Sequence, residues 1–364
     1  MSSHGVPRTS QTAGDRSEQQ KQKELEQIEK YNDLVAQIVE RQYTTDVLAL
    51  SSKLLAQNPE YYTIWNHRRL ILEHMFHEAV ASSAPPENEG LSSGQQTILD
   101  HITNDLHFLV PLLMKFPKCY WIWNHRIWLL QQTIKILPTS YARRLWQEEL
   151  GLVGKMLSRD SRNFHGWDYR RFIVTTLEHI ANEDGGKTSM VEPEFEYTTK
   201  MIKTNLSNFS AWHNRSKLIP RLLDERNADM AARQEFMKSE LELIQKALYT
   251  DPYDQSLWFY HAFLMSTLDR DTPQNARIIQ DISDDVQVLY FDEELEAIKD
   301  MLDGAEDCKW IYQALLETAT ALRRARQSED DGLDKEIAGW LSELRKLDPL
   351  RSKRWDDLSQ KLKL

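Results

Sequence analysis

A tryptophan that returns about every 45 residues constrains this chain more than any other feature. Trp65, Trp123, Trp167, Trp212, Trp258, Trp310 and Trp355 are separated by 58, 44, 45, 46, 52 and 45 residues. Seven positions before each stands a turn-forming Asn or Asp, namely Asn58, Asp160, Asn205, Asp251, Asp303 and Asp348, with Phe116 as the exception. Three positions after it stands Arg68, Arg126, Arg170 or Arg215, then His261 and Gln313 as the pattern decays. Residues three apart share a helix face, so each Trp and Arg belong to one surface of one helix. That helix continues through Leu72, Leu130, Val174, Ile219 and Met265.

A second helical pattern precedes each turn, with apolar pairs four apart at Leu50/Leu54, Phe108/Leu112, Leu152/Met156, Tyr197/Met201 and Leu243/Ala247. Each unit therefore reads as a helical hairpin. A lone hairpin cannot bury its apolar face, and stacked neighbours supply the missing core. The expected fold is all-α, a right-handed α-solenoid or crescent of about seven hairpins. Residues 1–17 read as a flexible arm and 18–364 as a single α-helical repeat domain. Residues 18–42 form its leading helix, with Leu25, Ile28, Leu34, Val35 and Ile38 on the apolar side. The Pro/Gly/Ser-rich stretch 82–96 explains the long first interval as a disordered insertion, and similar loops fall near 182–189 and 268–275.

Composition narrows the chemistry. No run approaches 18 apolar residues and the N-terminus is polar, which argues against membrane spans and export and predicts a cytoplasmic protein. The two cysteines, Cys119 and Cys308, supply neither a disulfide framework nor a thiolate metal cage. A formal charge of −11 disfavours a general nucleic-acid binder and favours protein partners. Most of that charge lies at 281–307, where eleven acids face the single Lys299; a solvated face is one reading and a dock for a basic partner the other.

The repeat residues point to architecture before chemistry. Tryptophan at helical spacing is core, and the arginines read as ion pairs or carbonyl caps between hairpins, with substrate contact as the alternative. His74 and His77 share a helix face, but the HExxH order is missing and no third ligand is evident. GxxxxGK[ST], GxGxxG and GxSxG are all absent.

The segments YYTIWNHRRLIL (61–72), CYWIWNHRIWLL (119–130), NFHGWDYRRFIV (163–174), NFSAWHNRSKLI (208–219) and DQSLWFYHAFLM (254–265) resemble protein prenyltransferase α-subunit repeats. HGVPR near the N-terminus, NFHGWDYRRF with NFSAWHNRS, and DPYDQSLWFYH resemble the Rab geranylgeranyltransferase (geranylgeranyl transferase type II) branch in its compact, fungal-type form. The resemblance implies an obligate heterodimer with a β subunit, an α-α barrel that holds the zinc, the isoprenoid pocket and the diphosphate site, so no metal is expected within this chain. It implies transfer of geranylgeranyl from geranylgeranyl diphosphate to C-terminal cysteines of Rab GTPases, presented by a Rab escort protein. Lys118 falls at the family lysine that reaches the diphosphate, where a compact ammonium suits a phosphate oxyanion. Tyr120 and His165 fall at positions lining the same mouth, with helix packing as their alternative role. Phe164 replaces the tyrosine of the farnesyl branch, so no hydroxyl role carries over there. His4, on the N-terminal arm, can reach the partner's zinc as an autoinhibitory ligand, or the arm is idle. Two rival readings are the shared α subunit of farnesyltransferase and geranylgeranyltransferase type I, and a non-catalytic TPR- or HAT-type scaffold; a TPR unit of about 34 residues fits the interval poorly.

Overall fold

The computed structural model describes residues 18–40, 43–83, 90–183, 188–327 and 331–363. Residues 1–17, with His4, lie outside them, as does 84–89 within the expected insertion. Among the described residues the regular structure is helical throughout, with no strand. The helices are α1 (Glu18–Glu40), α2 (Thr45–Gln57), α3 (Tyr62–Ala81), α4 (Ser93–Lys115), α5 (Tyr120–Ile136), α6 (Thr139–Arg159), α7 (Phe164–Glu183), α8 (Val191–Thr204), α9 (Phe209–Glu225), α10 (Met230–Thr250), α11 (Gln255–Ser266), α12 (Asp284–Asp300), α13 (Lys309–Arg326), α14 (Asp331–Leu347) and α15 (Ser352–Leu362). Contacts divide the chain into two compact units. One comprises residues up to Met156 together with His165–Asp184; the other comprises Leu157–Phe164 and Gly185–Leu364.

The hairpins arise where the sequence places its turn residues. Six times, the N–H four positions before the anchoring Trp donates to the carbonyl seven positions before it: Tyr61 to Asn58, Cys119 to Phe116, Asn163 to Asp160, Asn208 to Asn205, Asp254 to Asp251 and Arg351 to Asp348. The Asn/Asp preference has a direct cause, because the side chains of Asn58, Asn205 and Asp251 each accept from the N–H two residues on, at 3.1 Å. The tryptophan then clamps its own turn. Trp65, Trp123, Trp212 and Trp258 donate Nε1–H to the carbonyls of Pro59, Pro117, Leu206 and Pro252, six residues back, at 2.7–2.9 Å. Each indole is buried, including that of Trp167, and its one polar atom is satisfied in these four clamps.

The sixth hairpin shifts the register. In α13 the cap is Cys308, whose N–H bonds the Ala305 carbonyl, so the anchor four residues on is Tyr312, not Trp310. The thiols confirm the alignment: Cys119 Sγ donates to the Pro59 carbonyl at 3.4 Å and Cys308 Sγ to that of Pro252 at 3.1 Å, each reaching the preceding hairpin's turn. Tyr312 is buried, whereas Trp310 is only half-buried.

Two further expectations need adjustment. Of the expected disordered insertion, Ser93–Gln96 form the first turn of α4, closed by a capping box in which Ser92 and Gln95 each bond the other's main chain. On α1, Ile38 is fully buried but Leu25 and Ile28 stay 60% and 54% exposed, since burial begins near Tyr31, whose ring stacks on Tyr61 at 5.9 Å. Among the described residues no helix is long and apolar enough to cross a membrane.

Candidate functional site

The arginines of the repeat are structural ligands. Arg68 grips Asp105 of the next hairpin and donates to Ser51, Ser52 and the Leu48 carbonyl. Arg126 holds Glu149 through two bonds of 2.6 Å, and Arg215 holds Glu240 at 2.5 and 2.8 Å. Arg170 is likewise buried. The acid also takes a side chain from its own hairpin, two residues after the Trp: Asp105 with His125, Glu149 with Tyr169, Glu240 with Tyr260, at 2.5–2.7 Å. Every one of these acids stands 18 residues before its anchor, as do buried Glu194 and Glu294. Burial raises the Tyr169 and Tyr260 phenols well above their ordinary range, and the neighbouring carboxylates push the same way. These groups are inert spacers of the stack, with no open face for a substrate.

The exposed chemistry lies at the turn entering α5. Lys118 is exposed, two residues ahead of that helix, while Cys119 behind it is buried and its thiol is pushed up to about 11, chiefly by burial. Tyr120 opens the helix half-exposed, with its ring 6.2 Å from the His165 ring at the start of α7. His165 in turn hydrogen-bonds the main chain of Lys118. The three expected site residues are thus brought together in one unit. Burial lowers the His165 pKa, against the opposing pull of the Lys118 main chain, Asp168 and Glu60. His165 is a neutral ring near pH 7 and positions the turn rather than adding a second cation. Phe164 is 65% exposed beside it in sequence, an apolar side chain where a hydroxyl would be expected in the farnesyl branch.

A hydrogen-bonded chain that the sequence did not disclose supports Tyr120. Its hydroxyl accepts from Asn124 Nδ2 at 3.1 Å, and Asn124 Oδ1 accepts from an Arg69 guanidinium nitrogen at 2.6 Å. Arg69 Nε also donates to His125 Nδ1 at 3.4 Å, and the other ring nitrogen of His125 faces Asp105 at 2.7 Å. Because Asn124 is the donor in that bond, the Tyr120 O–H remains able to donate to an outside acceptor. The exposed turn thus carries one ammonium and one phenol, a donor set suited to an oxyanion. Among the described residues no three His, Cys, Asp or Glu side chains group to hold a metal, and His74 instead pairs with Glu78 at 3.3 Å.

Comparison with known proteins identifies the repeat. The protein prenyltransferase alpha subunit repeat matches at residues 44–75, 102–133, 146–177, 191–222 and 237–268. The chain is 33% identical to the geranylgeranyl transferase type-2 subunit alpha of Candida albicans, over 97% of this chain and 96% of that protein. It is 31% identical to the Saccharomyces cerevisiae protein of the same description, over 97% of each. Among solved structures, a chain of Candida albicans protein geranylgeranyltransferase-I complexed with GGPP shares the fold, with a TM-score of 0.60 and 19% identity over 92% of this chain and 91% of that one. Five repeats in register and full-length identity to the type-2 proteins show that the chain belongs to the protein prenyltransferase alpha subunit family, in its fungal geranylgeranyl transferase type-2 branch.

Proposed function

We propose that this chain is the α subunit of a heterodimeric protein geranylgeranyltransferase, which moves a geranylgeranyl group from its diphosphate to C-terminal cysteines of Rab GTPases presented by an escort protein. The observation that carries the reading is the full-length match to geranylgeranyl transferase type-2 alpha subunits, with Lys118, Tyr120 and His165 gathered at one exposed turn. Lys118 supplies a point charge to the departing diphosphate and Tyr120 a neutral donor, both gaining strength as negative charge builds on the leaving oxygens. His165 holds the turn that carries the ammonium. The zinc of the proposed reaction belongs to the partner β subunit, where it would keep the accepting cysteine as a thiolate. The proposed setting is the cytoplasm.

The test is reconstitution with a type-2 β subunit. Transfer from labelled geranylgeranyl diphosphate to a Rab–escort complex, and none to a free CaaX peptide, is the expected result. Transfer to the CaaX peptide instead assigns the chain to farnesyltransferase and geranylgeranyltransferase type I. Failure to pair with any prenyltransferase β subunit leaves a scaffold and defeats the proposal.

A further inference from the structure

A hydrogen bond between two groups that can each donate or accept takes its direction from neighbours that have only one role. Two such neighbours stand behind the exposed turn. Burial works against the Asp105 carboxylate, but Arg68 keeps it ionised, so it only accepts. Arg69 only donates. Bonded to them are His125, Asn124 and Tyr120, each of which can face either way.

The direction of every bond then follows. Burial lowers the His125 pKa to about 4 against the pull of Asp105, so the ring is neutral near pH 7 and carries one proton. Nε2 lies 2.7 Å from the Asp105 carboxylate and holds that proton, which leaves Nδ1 bare to accept from Arg69 Nε at 3.4 Å. Arg69 also donates to Asn124 Oδ1 at 2.6 Å, which turns Nδ2 of the same amide toward the Tyr120 oxygen, 3.1 Å away. The phenol accepts there and keeps its own proton for the outside.

Arg69 is held for this task without being neutralised. It is half-buried, with its guanidinium 5.6 Å from the Trp128 ring, which stacks on His125 at 5.4 Å. Both of its hydrogen-bond partners are neutral, whereas Arg68, Arg126 and Arg215 each hold an acid. The bridge to the next hairpin is not a general property of the repeat: Arg171, at the same position on α7, bonds Asp168 of its own helix at 2.9 Å.

We propose that Arg69 is a positioning residue, which fixes the Asn124 amide so that the Tyr120 hydroxyl presents its proton to the departing diphosphate. This rests on the function proposed above. Without the guanidinium the amide can turn over, and Asn124 Oδ1 then accepts the phenol proton and withdraws it from the site.

The first half of the test is nitrogen NMR of the purified full-length chain carrying labelled histidine, with the His125 signal assigned by its loss in His125→Gln. A proton on Nε2 and a bare Nδ1 are expected near pH 7; the opposite tautomer overturns the chain of bonds whatever the protein's activity. The reconstituted heterodimer supplies the second half. Arg69→Met keeps an unbranched stem that cannot donate, and should lower single-turnover transfer at saturating lipid by about 3- to 10-fold, with lipid affinity unchanged. In a Tyr120→Phe background the same substitution should do nothing further, and Arg69→Lys, which still donates, should restore part of the rate. An Arg69→Met enzyme at the unmodified rate, or one that loses as much in the Tyr120→Phe background, overturns the proposal. Transfer that is absent before any substitution defeats the functional reading instead, and the tautomer alone then judges the direction of the chain.

Discussion

Arg126 and Glu149 face each other across two hairpins, fully desolvated and joined by two bonds of 2.6 Å, with the Tyr169 hydroxyl donating to the same carboxylate at 2.6 Å. Arg126 also donates to the Leu106 carbonyl at 2.8 Å, so one cation fastens three helices. The pair specifies how far and in what register one hairpin slides on the next. Its net contribution to stability is smaller than its geometry suggests, because both charges lost their water.

Glu149→Ala should therefore destabilise the chain by about 3–5 kcal/mol, since it strands a buried guanidinium. Tyr169→Phe, which removes only one hydroxyl, should cost about 1–2 kcal/mol. The double variant Arg126→Met/Glu149→Leu should recover most of the loss of Glu149→Ala. Urea denaturation followed by tryptophan fluorescence reads all three, and a double variant as unstable as the single one contradicts the account.

The Asp105 site makes stability acid-sensitive. Burial lowers the pKa of the His125 ring, its bond to Asp105 works the other way, and the nearby Arg68 and Arg69 lower it further. Asp105 is itself raised by burial but held below the usual carboxylate range by Arg68 and His125. Both folded pKa values are depressed, so the unfolded chain binds more protons as the pH falls. Stability should drop from the ordinary histidine value of about 6.5 downward, at up to about 1.4 kcal/mol per pH unit for that ring, and again below about pH 4 for Asp105. In His125→Gln the first slope should vanish while the second persists. An unaltered profile between pH 7 and 5 in that variant removes the histidine from the explanation.

Much of the stack is legible in the tryptophan series and its Asn/Asp turns because both have local causes, a clamp six residues long and a side chain capping the second N–H after it. The acids were not, because Asp105, Glu149, Glu194, Glu240 and Glu294 sit in charged helices where each resembles a solvated residue. Their signal is the constant spacing of 18 to the anchor, which is a tryptophan for the first four and Tyr312 for Glu294. Trp310 misled through size alone, an indole two residues early outranking the phenol that fills the anchor's place. At the exposed turn, Lys118, Tyr120 and His165 were legible through family resemblance, whereas Arg69 was hidden beside Arg68 as a seeming duplicate. Asn124 gave no sign, since its role depends on a neighbour from the preceding hairpin.

Asn124 is expected to act through Tyr120. Asn124→Leu frees the hydroxyl to rotate and should lower single-turnover prenyl transfer by about 3- to 10-fold, on the scale of one misdirected hydrogen bond. In a Tyr120→Phe background the same substitution should have no further effect, because the oriented group is already gone. Equal losses in both backgrounds assign Asn124 to local packing instead.

Lys118 gives the sharpest test. Loss of one oxyanion stabiliser typically slows chemistry by about 100- to 1,000-fold, and solvent screening at this exposed position weakens the effect, so Lys118→Ala should reduce the single-turnover rate at saturating lipid by about 10- to 100-fold. Binding of geranylgeranyl diphosphate should weaken far less, because the charge Lys118 meets grows only as the carbon–oxygen bond breaks. Heterodimer assembly should be unchanged and folding stability should stay within about 0.5 kcal/mol of the unmodified protein, the ordinary span for an exposed position. Lys118→Arg should restore only part of the rate, since a planar fork spreads its charge over a wider front than an ammonium. A Lys118→Ala enzyme that transfers lipid at the unmodified single-turnover rate would leave this chain with a purely architectural share in the reaction.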